Sequence, residues 1–171
     1  MEWRCGAYLP FLIVPPEPPP VVDRGRAFII TGQSNASGRG TNNQVYGGST
    51  AAYLYGNDYA YRVLADPVDS AAGQVDTVSS DGNAAGTVWP IVATSYAEST
   101  GLVSTWVPCA LGATSITQWL PGADHEDRTT LYGSMIHRAR QQADIRVVLW
   151  WQGESDAIAG MAQATYNAHL D

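Results

Sequence analysis

Three short apolar runs punctuate the chain, and each gives way abruptly to small or polar residues. Ala27-Phe-Ile-Ile-Thr31 stops at Gly32, Leu102–Leu111 stops at Gly112, and Arg146-Val-Val-Leu-Trp-Trp151 runs into Gln152. Runs of this length, closed by glycine or an amide, predict buried strands. The third has the unbroken hydrophobicity of a strand covered on both faces of a parallel sheet. Trp89, Val92, Ala93, Tyr96 and Ala97 recur at helical spacing, with Pro90 in the first turn and Gly101 as a stop, so a helix is predicted over Trp89–Thr100. Leu131, Met135, Ile136, Ala139 and Ala143 mark a second amphipathic helix, and Ser155 or Asp156 can cap a last one running toward Leu170. From Asn35 to about Thr87 no period is sustained, which predicts long loops with one short hairpin, the kind of segment that supplies binding surface. This order is an α/β pattern, most simply a right-handed, doubly wound sheet.

Composition narrows the picture. With 171 residues, 45% hydrophobic and 15% charged, the chain suits one globular domain. Nine basic against sixteen acidic residues give a formal net charge of −7, which argues against nucleic acid and anionic membranes as partners. Every basic residue is arginine. Without lysine there is no Walker-type phosphate loop, no Schiff-base lysine and no Ser–Lys dyad. No stretch approaches the roughly 18 apolar residues of a membrane span. Cys5 and Cys109 allow one disulfide at most, and Cys109, after an apolar run, reads as a buried free thiol. Residues 1–25 read as a leader or linker stiffened by Pro15, Pro16, Pro18, Pro19 and Pro20, with the domain occupying 26–171. The apolar stretch Cys5–Val14 is broken by Pro10, carries only Arg4 nearby and precedes no small-x-small cleavage pattern. It makes no convincing signal peptide and leaves location open, extracellular and particle-associated settings included.

Ligands of an open parallel sheet bind at the carboxyl ends of its strands. Here those ends carry Gly32-Gln-Ser-Asn35, Gly112-Ala-Thr-Ser-Ile116 and Gln152-Gly-Glu-Ser-Asp156. Ser34, two residues past Gly32, occupies a strand-to-helix turn that lifts its hydroxyl clear of the sheet. Ala36 replaces the second glycine of the G-x-S-x-G elbow and the serine follows the first strand, so the α/β-hydrolase fold does not fit. Gly112 lets a backbone N–H approach a ligand closely. Glu154, beside Gln152 at the end of the most apolar strand, is costly there unless paired or functional. Asp156 reads more simply as a helix cap.

Those three segments, with Pro108-Cys-Ala-Leu-Gly-Ala-Thr-Ser-Ile116, Trp119 and Trp150-Trp-Gln-Gly-Glu-Ser-Asp156, resemble ordered blocks of the sialate O-acetylesterase/acetylxylan esterase group within the SGNH (GDSL-like) hydrolases. The resemblance covers about Arg26 to Asp171. It implies a three-layer α/β/α, flavodoxin-like fold and removal of O-acetyl groups from sugars without metal or organic cofactor. It makes Ser34 the nucleophile and forms the oxyanion hole from the Ser34 and Gly112 N–H groups and the Gln152 side-chain amide. Glu154 then orients the catalytic histidine, while Asn35, Thr114, Ser115 and Trp119 bind substrate. Trp150 and Trp151 are further candidates for lining a sugar site.

One part is missing from the pattern. The family carries its histidine in a late Asp-x-x-His block, and none of His125, His137 or His169 has Asp three positions before it. His125, in Asp124-His-Glu-Asp127, reads as part of a solvated acidic loop. The expectation is a C-terminally incomplete sheet of order 2-1-3-4-5, with an open edge and an uncovered apolar face. A second chain or segment would supply the remaining strands and the base, and the isolated chain would hydrolyse esters poorly. The alternative is a non-catalytic carbohydrate-binding or structural module on the same scaffold.

Overall fold

The chain, described over residues 23–76 and 85–171 in a computed structural model, runs β1 (Arg26–Gly32), α1 (Ser34–Ser37), β2 (Ala52–Tyr55), β3 (Tyr61–Val63), α2 (Trp89–Thr100) and β4 (Ser104–Ala110). A 3₁₀ turn (Ile116–Trp119), α3 (Leu131–Arg140), β5 (Ile145–Trp151), α4 (Glu154–Ile158) and α5 (Gln163–Leu170) complete it. Most of the expected leader, Cys5 included, lies outside the described residues.

All three expected strands form, and they pair in parallel. Phe28 pairs with Trp106 of β4 and Val147 of β5, and Gly32 pairs with Ala110 and Trp151. The five-stranded sheet has the order β3-β2-β4-β1-β5. The long strands therefore lie second-first-third, as a flavodoxin-like sheet begins. The hairpin expected among the loops is β2–β3, antiparallel, and it extends the sheet beyond β4.

Alternation along the strands creates two cores. Phe28, Ile30, Trp106 and Ala110 point toward Trp89 and Ala93 of α2, and Phe28 stacks on Trp106 at 4.7 Å between ring centroids. Ile29, Val107 and Cys109 point to the opposite face, against Ala139 of α3. Helices on both faces of one sheet give the three layers. Helix α2 has the expected limits, with Gly101 in the left-handed region donating its N–H to the Ala97 carbonyl at 2.8 Å. Helix α3 ends at Arg140, short of Ala143, and buries Arg138, whose guanidinium meets Asn57 Oδ1 at 2.5 Å. Cys109 is a buried free thiol, and burial pushes its pKa up to about 11.

Two expectations need correction. The last helix is two helices, α4 and α5, separated at Gly160. It begins after Gly153 with no side-chain cap, so neither Ser155 nor Asp156 caps it. The third strand is also not covered on both faces. β5 is the edge of the sheet, and Ile145, Val147, Val148 and Trp151 are exposed, Val148 by 55%. Among the described residues β5 has one neighbouring strand, β1.

Candidate active site

Gly32 fixes where the chain leaves the sheet. Its φ is +128°, and a side chain there would collide with the Trp151 carbonyl oxygen, so β1 and β5 approach at the one position where only glycine fits. The Gln33 N–H donates to that same Trp151 oxygen at 3.0 Å, and the chain then closes the single turn of α1, with Gly38 N–H on the Ser34 carbonyl at 2.8 Å. Ala36 and Ser37 are buried, and the Trp89 indole N–H donates to the Ala36 carbonyl at 2.7 Å. With the back of the turn pinned, Ser34 and Asn35 occupy its outer side, half-buried and exposed respectively.

Ser34 lines an open cleft of about 570 Å³ together with Gln33, Asn35, Gly112, Glu154 and Ser155. All three strand-end segments thus contribute to one concavity. Beside Gly112, Ala113 holds a φ of +60°, uncommon for a residue with a β-carbon. Asn35 Nδ2 donates to Glu154 Oε1 at 2.5 Å, tying the first segment to the third. The other Glu154 oxygen, Oε2, is buried and accepts no hydrogen bond among the described residues. A carboxylate in that condition has room for one more donor.

Gln152 is not among the residues lining the cleft and borders another concavity with Asp156 and Tyr166. Its Nε2 donates to the Thr114 carbonyl at 2.8 Å, to Asp156 Oδ2 at 2.5 Å and to Gln33 Oε1 at 3.2 Å, and its Oε1 accepts from the Tyr166 hydroxyl at 2.7 Å. Two amide hydrogens shared among three protein acceptors are committed to holding the segments together. Asp156 is the other half of this hub. It is 2% exposed and accepts from Ser115 Oγ at 2.5 Å and from the Ile116 N–H at 2.9 Å. Burial works against its charge, but the donors from Ser115, Gln152 and Ile116 outweigh it and hold the carboxyl below its ordinary range. Thr114 and Trp119 are buried and bonded to each other, Trp119 Nε1 donating to Thr114 Oγ1 at 3.0 Å, and Trp119 packs edge-on against Trp150 at 5.5 Å. Of the four expected substrate contacts, Asn35 lines the cleft, while Thr114, Ser115 and Trp119 are not among its lining residues, and Trp119 lines a separate cavity with Thr31 and Trp150.

None of the three histidines lines this cleft. His137 stacks on Tyr59 at 5.6 Å, His125 meets the edge of Tyr132, and His169 faces a small aromatic cavity with Thr31, Trp119 and Trp150. Gln33, Asp156 and Tyr166 were not singled out for this role by the sequence. The only local signal was the i, i+4 spacing of Gln152 and Asp156, because the other contacts cross the sheet.

Residues 24–171 match the family described as carbohydrate esterase, sialic acid-specific acetylesterase. The chain belongs to that family. The probable carbohydrate esterase At4g34215 of Arabidopsis thaliana is 28% identical over 172 residues, which take in 91% of this chain and 64% of the relative. The X-ray structure of that plant protein has the same fold, with a TM-score of 0.64 at 24% identity over 85% of this chain and 65% of that one. XAC1771, a carbohydrate acetylesterase from Xanthomonas citri, overlaps at a TM-score of 0.41 and 20% identity over 77% of this chain and 33% of its own. The chain spans less than two thirds of the length of the plant relative it matches. The family is one of carbohydrate esterases, and so of carboxylic ester hydrolases. It is the group that the three strand-end segments resemble.

Proposed function

We propose that this chain carries the nucleophile of a carbohydrate O-acetylesterase, with sialate or xylan acetates as the candidate substrates. The observation that supports this reading is the shared cleft, where the Ser34 hydroxyl, the Gly112 backbone and the Glu154 carboxylate come from three different strand ends. Ser34 Oγ attacks the acetyl carbonyl carbon, and the carbonyl oxygen takes up the negative charge among the Ser34 and Gly112 N–H groups. The hydroxyl proton passes to a base and then to the departing sugar oxygen, leaving an acetyl-serine that water hydrolyses to acetate. Gln152, whose amide nitrogen donates to Thr114, Asp156 and Gln33, is given the role of holding the loops that frame the oxyanion. Glu154, steadied by Asn35, is the carboxylate that would orient the N–H of an imidazole base and fix that ring's tautomer. This imidazole comes from a histidine outside the cleft residues described, on a further segment or a partner chain.

The experiment uses free imidazole in place of that side chain. Acetate release from acetylated xylo-oligosaccharide and from O-acetyl sialic acid is expected to be negligible with the purified chain alone. It should rise with imidazole above the protein-free control, and the rise should vanish in Ser34→Ala. Robust turnover without imidazole would show that a histidine of this chain suffices. An imidazole-dependent rise that survives Ser34→Ala rules out the nucleophile assignment. The cleft's lack of a histidine favours a second reading, a non-catalytic sugar-binding module. That module would bind acetylated sugar yet resist a serine-directed fluorophosphonate even with imidazole present.

A further inference from the structure

A second groove, of about 490 Å³, adjoins the Ser34 cleft and shares two residues with it, Asn35 and Arg39. Its far wall is the loop carrying Asn42 and Gln44, and Trp151 forms part of its lining. Trp151 is the exposed indole among the described tryptophans, with 41% of its surface open. It is also held in place. Trp89 packs against it edge-to-face at 6.1 Å, and Trp89 is anchored by its N–H to Ala36 in the turn that begins at Ser34.

The polar side of the groove is equally fixed. The Asp66 carboxylate gathers the Gln44 N–H at 2.8 Å, the Thr87 N–H at 2.9 Å and the Thr87 hydroxyl at 2.7 Å. Gly40 and Gly86 exchange backbone hydrogen bonds across the same gap at 2.8 and 3.2 Å. The two walls are therefore joined beneath the groove, and it stands ready-made. In a chain of net charge −7, the described residues lining it include the cationic Arg39 and no carboxylate.

A held, exposed ring in one groove with carboxamides and hydroxyls, and no acidic group among its described lining residues, suits a sugar. A pyranose has an apolar face of C–H groups for the indole and a rim of hydroxyls for the amides. We infer that this groove binds the sugar unit next to the one bearing the scissile acetyl group, with Trp151 under its apolar face and Asn42 and Gln44 at its hydroxyls. The inference rests on the esterase reading above and sharpens it. The substrate is an acetylated oligosaccharide or polysaccharide rather than a lone monosaccharide, and Trp151 determines that preference.

The test measures binding of xylotriose, 3′-sialyllactose and the monosaccharides xylose and N-acetylneuraminic acid by calorimetry and saturation-transfer NMR. At least one trisaccharide should bind ten-fold or more tightly than its monosaccharide. Trp151→Ala should remove that advantage and Trp151→Phe should keep most of it, with circular dichroism confirming that both variants fold. Imidazole-supported, Ser34-dependent hydrolysis of p-nitrophenyl acetate by the unsubstituted chain is measured alongside. Equal affinity for trisaccharides and monosaccharides, or a trisaccharide advantage that survives Trp151→Ala, would overturn the groove's assignment while leaving the Ser34 chemistry intact. If no sugar binds and no Ser34-dependent hydrolysis occurs, the esterase reading itself fails.

Discussion

β4 and β5 are both seven-residue strands, both mainly apolar, and both pair in parallel with β1, yet they live in opposite environments. Every residue of β4 is buried, between α2 on one face and α3 on the other. In β5 five of seven residues are exposed and none is fully buried. Hydrophobicity along a strand reports the surroundings a sequence is suited to, whereas burial depends on the neighbours actually beside it. β5 has the composition of an interior strand at the position of an edge. Edges are ordinarily blunted with charges or proline. β5 has only Arg146 for this purpose, which pairs with Asp144 at 2.9 Å.

The largest expected difference between the two strands is thermodynamic. Trp106 is 1% exposed and stacked on Phe28. Trp106→Ala should cost about 3–5 kcal/mol, since it removes a large buried ring and leaves a cavity. Val148→Ala, at a position more than half exposed, should cost well under about 1 kcal/mol. Urea denaturation of the two variants checks the contrast. Comparable costs would mean that something covers β5 in solution.

A smaller effect separates the polar hub at the strand ends from the apolar strands themselves. Asp156→Asn keeps the shape but weakens what Ser115, Ile116 and Gln152 donate to, and it should cost about 1–3 kcal/mol at neutral pH. The Asp156 carboxyl is held below its ordinary range, as is Asp76, where Tyr59, Arg128 and Ser134 outweigh the opposing effect of burial. A depressed folded-state pKa stabilises above the unfolded value, near 4, and that stability is lost as pH falls through the folded pKa. Stability should therefore drop below about pH 4, and Asp156→Asn should make the drop shallower. An unchanged acid limb in thermal melts between pH 2 and 5 would show that Asp156 carries no such linkage.

How legible all this was depends on whether the signal is local. β1 ends at Gly32 as read, β4 ends at Ala110, two residues before the expected stop at Gly112, and α2 has the expected limits because Pro90 and Gly101 mark a helix in any context. Ser34, Gly112 and Glu154 could be singled out because each follows a strand, and strand ends of a parallel sheet converge. The hub was not legible. Gln33 and Gln152 are 119 residues apart, and an aspartate near a helix start looks the same whether it caps that helix or reaches across to Ile116. Arg138 is similar, since its full burial goes with hydrogen bonds to the Tyr55 carbonyl at the end of β2 and to Asn57 in the loop after it, both distant in sequence. The exposure of β5 was legible from one direction and not from another. Its own residues predict a strand covered on both faces, whereas the sheet order 2-1-3-4-5 with strands expected beyond the third predicts an open edge there, and among the described residues β5 pairs with β1 alone.

The smallest expected effect on stability is also the one that bears most directly on that edge. Val148→Lys places a charge at a β5 position that is 55% exposed. If the strand is open to water, the change should lie within about 0.5 kcal/mol of neutral. An open apolar edge also invites strand pairing with another polypeptide, and a charge in its middle opposes that pairing. Light scattering over a range of concentrations should therefore show association of the wild-type chain that Val148→Lys reduces, with melting temperatures nearly equal at low concentration. A variant that loses several kcal/mol even when dilute would mean that Val148 is buried within a single chain, and that the contrast between β4 and β5 lies in their partners' order along the sequence and not in exposure.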